Sequence, residues 1–192
     1  MTVASMESAG RRRDVVFTTE KRKDAGWRVT AHELAPPDGK IKIAARTIYT
    51  SNSQINFLNT AKEGAVIVGS AGKKLLLGRL RSTEYDTVDK IKYEFRVFET
   101  TDNISALDLK VSNRSGTEEL KNPVLKRTPI VDIVIGDVRG AIFVHNDLLA
   151  NLIRAQDGKL PQRVSLAPRK LHWHRQGVRT VKWSLDGNWI SS

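Results

Sequence analysis

The sequence contains no cysteine, which excludes disulfide bonds, zinc–thiolate sites and cysteine nucleophiles. It has no stretch approaching the roughly 20 apolar residues of a membrane-spanning helix. Residues 1–10 lack the apolar core of a signal peptide, so an intracellular location is the default expectation. The glycine-rich phosphate-binding motifs and the Gly-x-Ser-x-Gly motif of serine hydrolases are also absent, which favours a binding protein over an enzyme.

What the sequence does contain is an ordinary share of apolar residues and an excess of basic ones. Hydrophobic residues occupy 40% of the 192 positions and charged residues 28%, values typical of a globular protein with a core. The net charge of +11 is unevenly spread, because residues 151–192 carry eight basic and two acidic side chains, against six and seven in residues 101–150. A concentrated basic surface favours a polyanionic partner, most commonly nucleic acid.

Short β-type runs separated by Gly, Asp and Pro turns predict an all-β domain over residues 14–192, after a disordered tail at residues 1–13. One segment, Asn146–Arg154, has helical spacing instead. Two segments share a pattern of apolar run, small-residue turn and second strand: AVIVGSAGKKLLLGRL at 65–80 and IVDIVIGDVRGAIFVHN at 130–146. Internal repetition of this kind favours a β-propeller over a sandwich or a barrel.

The most specific pattern is HRQGVRTVKWSLDGNWIS, at residues 174–191. This segment resembles the start of a WD repeat, whose pattern is G-H-x-x-x-V-x-x-V-x-F/W-S-x-D-G-x-x-I/L-x-S. His174, Trp183, Asp186 and Gly187 fall in register with that pattern, as do two valines, one serine and one isoleucine. The agreement at many fixed positions identifies the WD-repeat family as the one that this segment resembles.

The WD-repeat resemblance implies structural roles for several residues. His174 is expected to hydrogen-bond a serine, with Ser191 or Ser192 as the candidate partner. Asp137 stands in the turn where the family places its structural aspartate, and Trp183 is expected in the core between blades. The Asp186-Gly187 pair suits a tight turn, since glycine adopts positive φ without strain.

A narrower resemblance covers most of residues 14–192. The runs PRKLHWHRQGVRTVKWSLDGNWIS, IVIGDVRGAIFVHNDLL and DVVFTTEKRKDAGWRVTAHEL are similar to fungal tandem-propeller WD-repeat subunits of the UtpA (t-UTP) subcomplex of the small-subunit processome. The resemblance implies a nucleolar, nuclear scaffold that binds the 5′ end of nascent pre-rRNA and supports 18S rRNA maturation and RNA polymerase I transcription. The implied partners are other WD-repeat subunits of UtpA, pre-rRNA and snoRNA, with no cofactor, no membrane and no small-molecule substrate.

The expected fold is a partial, unclosed WD-repeat β-propeller made mostly of antiparallel four-stranded sheets. About two and a half to three blades can be counted in the sequence, whereas propellers typically hold about four to eight. The chain is therefore expected to be a fragment of a larger propeller. An open propeller exposes sheet faces and edges, so the isolated chain is expected to aggregate or to bind a hydrophobic dye.

The sequence can also be read for two kinds of site, a metal site and an RNA contact. His172 and His174 would share one face of a strand, but no third metal ligand lies near them, so no metal site is predicted. An aromatic residue among basic ones suits single-stranded RNA. The candidate RNA contacts are Arg169, Lys170, Trp173 and Arg175.

Two functional hypotheses remain open from the sequence, and both are non-catalytic. The first is the processome scaffold that the narrower resemblance implies. The second is a generic WD-repeat adaptor that binds proteins outside ribosome biogenesis. A propeller hydrolase would need convergent acidic residues or a metal, and the sequence indicates neither.

Overall fold

A computed structural model shows an all-β protein with a single short helix among the residues it describes. The described ranges are 1–8, 11–24, 26–34, 45–61, 63–81, 90–114, 128–154, 168–172 and 174–192. These residues form two compact units, unit 1 at residues 1–101 and unit 2 at residues 102–192. In the described part of the chain, no helix has the length and hydrophobicity needed to cross a bilayer.

Unit 1 contains two four-stranded antiparallel sheets. The strands of the first sheet are β1 (Thr2–Ser8), β2 (Arg11–Lys21), β3 (Trp27–Glu33) and β4 (Ala45–Ser51). The strands of the second sheet are β5 (Phe57–Thr60), β6 (Val66–Ala71), β7 (Lys74–Leu80) and β8 (Tyr93–Glu99).

Unit 2 contains a third four-stranded antiparallel sheet and a small two-stranded one. The strands of the third sheet are β9 (Ile104–Ser112), β10 (Ile130–Asp137), β11 (Ala141–His145) and β12 (Arg169–His172). The helix α1 (Leu148–Arg154) precedes β12, and the two-stranded sheet pairs β13 (Lys182–Trp183) with β14 (Ile190–Ser191).

All three four-stranded sheets have the same simple topology. Each is a meander, in which every strand pairs antiparallel with its neighbours in the sequence. The two segments that share one sequence pattern form equivalent parts of their sheets: β6–β7 and β10–β11 are each the central hairpin. Within the described residues no sheet closes on itself, which excludes a closed barrel there.

The core of unit 1 lies between the first and second sheets. One cluster joins Met6, Val15 and Phe17 of the first sheet to Ile67 of the second, and all four side chains are fully buried. A second cluster joins Val29 to Leu76. The apolar run at residues 65–68 supplies the first half of β6, and this strand is buried at all six of its positions. The second sheet is therefore buried on both faces along this strand, because successive strand residues face opposite sides.

Residues 1–13 differ from the disordered tail that their composition predicts. Thr2–Ser8 forms β1 and pairs along its length with β2, which already begins at Arg11. Only two apolar side chains of β1, Ala4 and Met6, are buried in the core, and only Met6 is large. A polar strand with so few apolar positions resembles a tail in sequence, so the prediction was wrong for this segment. Its order depends on contacts with residues far along the chain.

The predicted helix is present with a shifted start: Asn146–Arg154 has helical spacing, and α1 begins at Leu148. Residues 40–44, which precede β4, lie outside the described residues. In the segment at residues 174–191, only Lys182 and Trp183 pair in a ladder with β14.

Replacement of Met6 by alanine tests the ordered first strand. Met6 is fully buried and its side chain fills the space beside Gly64, so Met6→Ala should lower the free energy of unfolding by about 2–4 kcal/mol. Urea denaturation followed by circular dichroism measures the change. Val3→Ala on the same strand is the control, since Val3 is half exposed and should cost under about 1 kcal/mol. Equal, small losses in both variants would mean that β1 is not packed.

Candidate functional site

The segment at residues 174–192 is held against the third sheet by buried polar groups of β9. Asp108 is buried, and its carboxylate accepts the backbone N–H of Trp183 at 2.9 Å and the Lys182 ammonium at 3.2 Å. Charge-assisted hydrogen bonds of this kind are stronger than neutral ones, especially away from water. Asp108 therefore fixes the position of β13 relative to β9.

Lys110, two residues further along β9, completes this attachment. Its ammonium donates a hydrogen bond of 2.9 Å to the carbonyl of Gly187 and lies 5.5 Å from the centre of the Trp183 ring. Gly187 has a φ of 69°, and a Cβ built there would lie 2.4 Å from Lys110 Cε. The turn thus requires glycine both for its backbone conformation and for the close approach of the lysine.

The turn between β10 and β11 interlocks with the loop that follows β12. The buried Asp137 carboxylate accepts the backbone N–H groups of Arg139 at 2.9 Å and Ala141 at 2.8 Å. The carbonyl of Asp137 accepts the N–H of Val178 at 2.9 Å. Gly140 in this turn has a φ of 89°, and a Cβ there would lie 2.3 Å from a loop carbonyl. Asp137 is consequently the organising residue of the turn.

In the turn at the tip of the β13–β14 hairpin, an aspartate carboxylate again accepts hydrogen bonds from its own turn, but here at the surface. The exposed Asp186 carboxylate accepts hydrogen bonds from the Ser184 hydroxyl and from the backbone N–H of Asn188, the latter at 3.1 Å. These bonds favour the ionised carboxylate, so the pKa of Asp186 lies below its ordinary value, mainly because of Ser184.

His174 and Trp183 each contact another segment of unit 2. Of the two serines considered for His174, Ser192 is its neighbour, with 2.7 Å between His174 Nε2 and Ser192 Oγ. Trp183 is half buried and packs against the apolar cluster that contains Val134, Val178 and Val181. His174 joins the loop after β12 to the residue after β14.

Two of the basic residues predicted to contact RNA, Arg169 and Lys170, lie next to each other on one strand of unit 2. Arg169 and Lys170 are both exposed on β12, the edge strand of the third sheet. Adjacent strand residues point to opposite faces, so the two cations diverge. Lys170 pairs across the sheet with Phe143 and lies 5.8 Å from its ring centre. Arg175 is exposed in the following loop, and Trp173 lies outside the described residues.

Comparison with known families gives no match: no family model fits the chain, and no curated protein is significantly similar to it.

Unit 1 holds the arrangement that most resembles a catalytic triad, a cluster of Thr18, Glu20 and His32. His32 Nε2 lies 2.9 Å from Thr18 Oγ1 and 3.1 Å from Glu20 Oε1. A relay needs the hydroxyl and the carboxylate on different ring nitrogens, whereas here both contact the same one. Burial raises the pKa of Glu20, but hydrogen bonds from Arg28, Thr18 and His32 outweigh this effect and leave it below its ordinary value. The cluster is therefore a network of hydrogen bonds and not the arrangement of a catalytic relay.

Metal binding has no candidate in the described part of the chain. No group of three His, Asp or Glu side chains there could hold a metal ion.

Sequence reasoning missed the residues of β9 that hold residues 174–192, namely Ser105, Asp108 and Lys110. The Ser105 hydroxyl donates to the carbonyl of Val178 at 2.6 Å. In the sequence Asp108 and Lys110 simply alternate with apolar residues, as they would on a strand with one solvated face, and Ser105 stands alone between Ile104 and Ala106. No sequence signal distinguishes a polar residue that faces water from one that faces a second segment.

Removal of the Asp137 carboxylate tests its role in the turn. Asp137→Ala leaves two backbone N–H groups without their acceptor, so the free energy of unfolding should fall by about 2–4 kcal/mol. Asp186→Ala is the matched control, because it removes the same group from an exposed turn and should cost clearly less. Thermal and urea denaturation measure both changes. An Asp186→Ala loss as large as that of Asp137→Ala would contradict the assignment.

His145, at the end of β11, predicts a pH dependence of stability. Burial lowers the pKa of His145 to about 4, below the ordinary 6.5, so the folded state binds its proton less tightly than the unfolded state does. The free energy of unfolding should therefore be unaffected above pH 6.5 and fall by roughly 3 kcal/mol between pH 6.5 and 4.

His145→Gln removes this titration, so the difference between wild-type and variant stabilities isolates it from the carboxylates that also titrate at low pH. Urea denaturation at several pH values measures the two curves. Parallel curves for the wild type and His145→Gln would show that burial of His145 has no such effect.

Proposed function

We propose that the chain forms WD-type β-propeller blades and serves as a non-catalytic scaffold in assembly of the small-subunit processome. Its partners would be pre-rRNA and other WD-repeat subunits, and its location the nucleolus. One observation carries the proposal: three successive four-stranded antiparallel meanders, of which the second is buried on both faces of β6.

Two-sided burial supports blades over a two-sheet sandwich. In a sandwich, each antiparallel sheet packs one face on the core and leaves the other in water. A propeller blade is covered on both faces by its neighbours, and each blade is a four-stranded antiparallel meander. The second sheet has this topology, with Val66, Ile67 and Val68 buried in succession.

The turn chemistry of unit 2 supports the WD-repeat assignment in particular. Asp137 organises the turn between the second and third strands of its sheet, and its carbonyl also holds the loop that leads to the next strands. His174 lies in that loop and contacts Ser192. These contacts tie the third sheet to the segment that follows it, as expected of a repeat architecture.

The processome role is supported by the sequence resemblance and by charge. A net charge of +11 suits a partner with many phosphates, because basic side chains release counterions when they neutralise a phosphate backbone. A second candidate, a generic protein adaptor, is favoured by exposed apolar side chains at the β13–β14 hairpin. Trp189 and Leu185 are both exposed there, and such residues suit a protein partner.

Localisation and crosslinking of the tagged chain in fungal cells test the proposal. We expect nucleolar enrichment, ultraviolet crosslinks to the 5′ external spacer of pre-rRNA and co-purification of WD-repeat processome subunits. Association with other complexes, without RNA crosslinks, would favour the adaptor and overturn the processome role.

Because basic proteins concentrate in nucleoli by charge alone, a matched variant is needed. Asp137→Ala keeps the basic side chains but disrupts the turn that organises unit 2. At equal cellular abundance, it should lose co-purifying subunits while the wild type retains them. Equal enrichment and equal co-purification of both proteins would attribute the behaviour to charge and contradict the proposal.

A further inference from the structure

One end of unit 1 is formed by two hairpin turns, one from each of its sheets. The first turn lies between β2, which ends at Lys21, and β3, which begins at Trp27. The second lies between β6, which ends at Ala71, and β7, which begins at Lys74. Trp27 packs against the apolar cluster that contains Ala71, so the two turns lie at the same end of the unit.

Two lysines next to these turns lie on the facing sides of the two sheets. Lys21 stands directly opposite Trp27 on the neighbouring strand, and Lys74 stands directly opposite Ala71. Opposite residues of an antiparallel pair have their side chains on one face of the sheet. Trp27 and Ala71 both pack toward the core between the sheets, so the two lysines lie on those same faces. Because both are exposed, they flank the mouth between the sheets, one from each sheet.

The charge of the two turns is one-sided. The basic residues of the turns are Lys21, Arg22, Lys23, Lys73 and Lys74. The acidic residues beside them are Asp24, which forms an ion pair with Arg22, and Glu99, which stands opposite Lys74. Five basic against two acidic side chains leave three positive charges in excess. Glu20 and Arg28, on the opposite face of the first sheet, pair with each other at 2.7 Å and do not change this balance.

The four lysines of the turns are available to a ligand. All four are exposed, and none forms an ion pair with another residue in the part of the chain that the structure describes. A surface with an excess of one charge concentrates ligands of the opposite charge. The four lysines and the adjacent tryptophan are here called the hairpin-tip surface, comprising Lys21, Lys23, Trp27, Lys73 and Lys74.

Backbone hydrogen bonds hold both turns in place. The N–H of Arg22 donates to the carbonyl of Gly26 at 2.7 Å, which closes the first turn. The N–H and the hydroxyl of Thr100 donate to the carbonyl of Lys73 at 2.8 and 2.7 Å, which ties the second turn to the strand end beside it. A ligand therefore has to order only the lysine side chains and not the backbone that carries them, which lowers the entropic cost of binding.

Trp27 gives this basic surface an aromatic component. Its ring packs against the core but is only partly buried, so part of it stays accessible beside Lys21. Lysine ammonium groups bind phosphates as point charges, without a fixed geometry. The bases of a single strand pack on aromatic side chains whatever their sequence. Lysines around an accessible indole therefore match both parts of a single-stranded nucleotide, its phosphate and its base.

We propose that the hairpin-tip surface binds single-stranded RNA, with phosphates on its four lysines and a base against Trp27. An acidic peptide is less favoured, because its carboxylates would pair with the lysines and leave Trp27 without a partner. The identity of the ligand as RNA rests on the proposed function, whereas the position of the site rests on the strand pairing of unit 1.

Binding of a labelled oligouridylate of about ten nucleotides to the full chain, measured by fluorescence anisotropy, tests the site. The variant Lys21→Gln/Lys74→Gln removes one exposed cation from each sheet at the mouth. The control Arg12→Gln/Lys92→Gln removes the same charge from two exposed residues at the other end of unit 1, near the starts of β2 and β8. Circular dichroism verifies that both variants fold.

We expect Lys21→Gln/Lys74→Gln to bind about ten-fold more weakly at physiological salt, and the control to bind within about two-fold of the wild type. The dependence of log affinity on log salt should become shallower by about 1.4 in the lysine variant. Equal binding by both variants, or no binding by the wild type, would overturn the assignment of the site. Polyglutamate that binds more tightly than the oligouridylate, and only with both lysines present, would overturn RNA as the ligand.

The variant Trp27→Leu tests the contact with a base separately from the phosphates. Leucine keeps an apolar side chain against the core but removes the aromatic ring, so binding should weaken about five-fold. The salt dependence should stay that of the wild type, because no phosphate contact is lost. Affinity equal to that of the wild type, in a variant whose fold is verified by circular dichroism, would overturn the role of Trp27.

The processome role fails separately from this inference. A chain that binds oligouridylate through the hairpin-tip surface but never co-purifies with processome subunits would overturn the proposed function and leave the site standing. A chain that co-purifies normally, while the lysine variant and its control bind RNA equally, would overturn the site alone.

Discussion

Burial of the second sheet on both of its faces is the constraint on which the rest of unit 1 depends. Strand β6 carries apolar or small residues at every position, and all of them are buried. One side of this sheet packs on the first sheet through contacts such as Ile67 with Phe17. That packing in turn orders β1, because Met6 belongs to the same cluster. It also brings the edge strands β4 and β8 together, where the rings of Tyr49 and Phe95 pack with 4.6 Å between their centres.

Unit 2 adds polar contacts to the same kind of packing. Its apolar cluster joins the third sheet to Val178 and Val181, but apolar contacts are not directional and do not by themselves fix a register. Asp108 and Lys110 fix that register, since their side chains bind backbone groups of the β13–β14 hairpin, and the carbonyl of Asp137 accepts the N–H of Val178. Asp108 and Asp137 are buried, so their bonds are costly to lose. The segment after β12 is therefore held in one position.

The positions of the basic residues show that local sequence does not reveal which of them lie together in space. Charge counting located a basic group near Arg169 and Lys170, yet strand geometry sends these neighbours to opposite faces. Arg79, Arg81 and Arg96 are spread over 18 positions of the sequence, yet all three contact one carboxylate, that of Glu94. The pairing of β7 with β8, which sets Glu94 opposite Arg79, brings them together.

The all-β class, most strand positions and the tight turns at Asp137 and Asp186 follow from local sequence, because residue period and turn chemistry act over a few neighbouring positions. The strand at residues 2–8 follows only from long-range packing. The same holds for Asp108, which faces another segment rather than water, and for the three arginines that share the Glu94 carboxylate. Each of these outcomes depends on contacts between residues far apart in the chain, which local propensity does not encode.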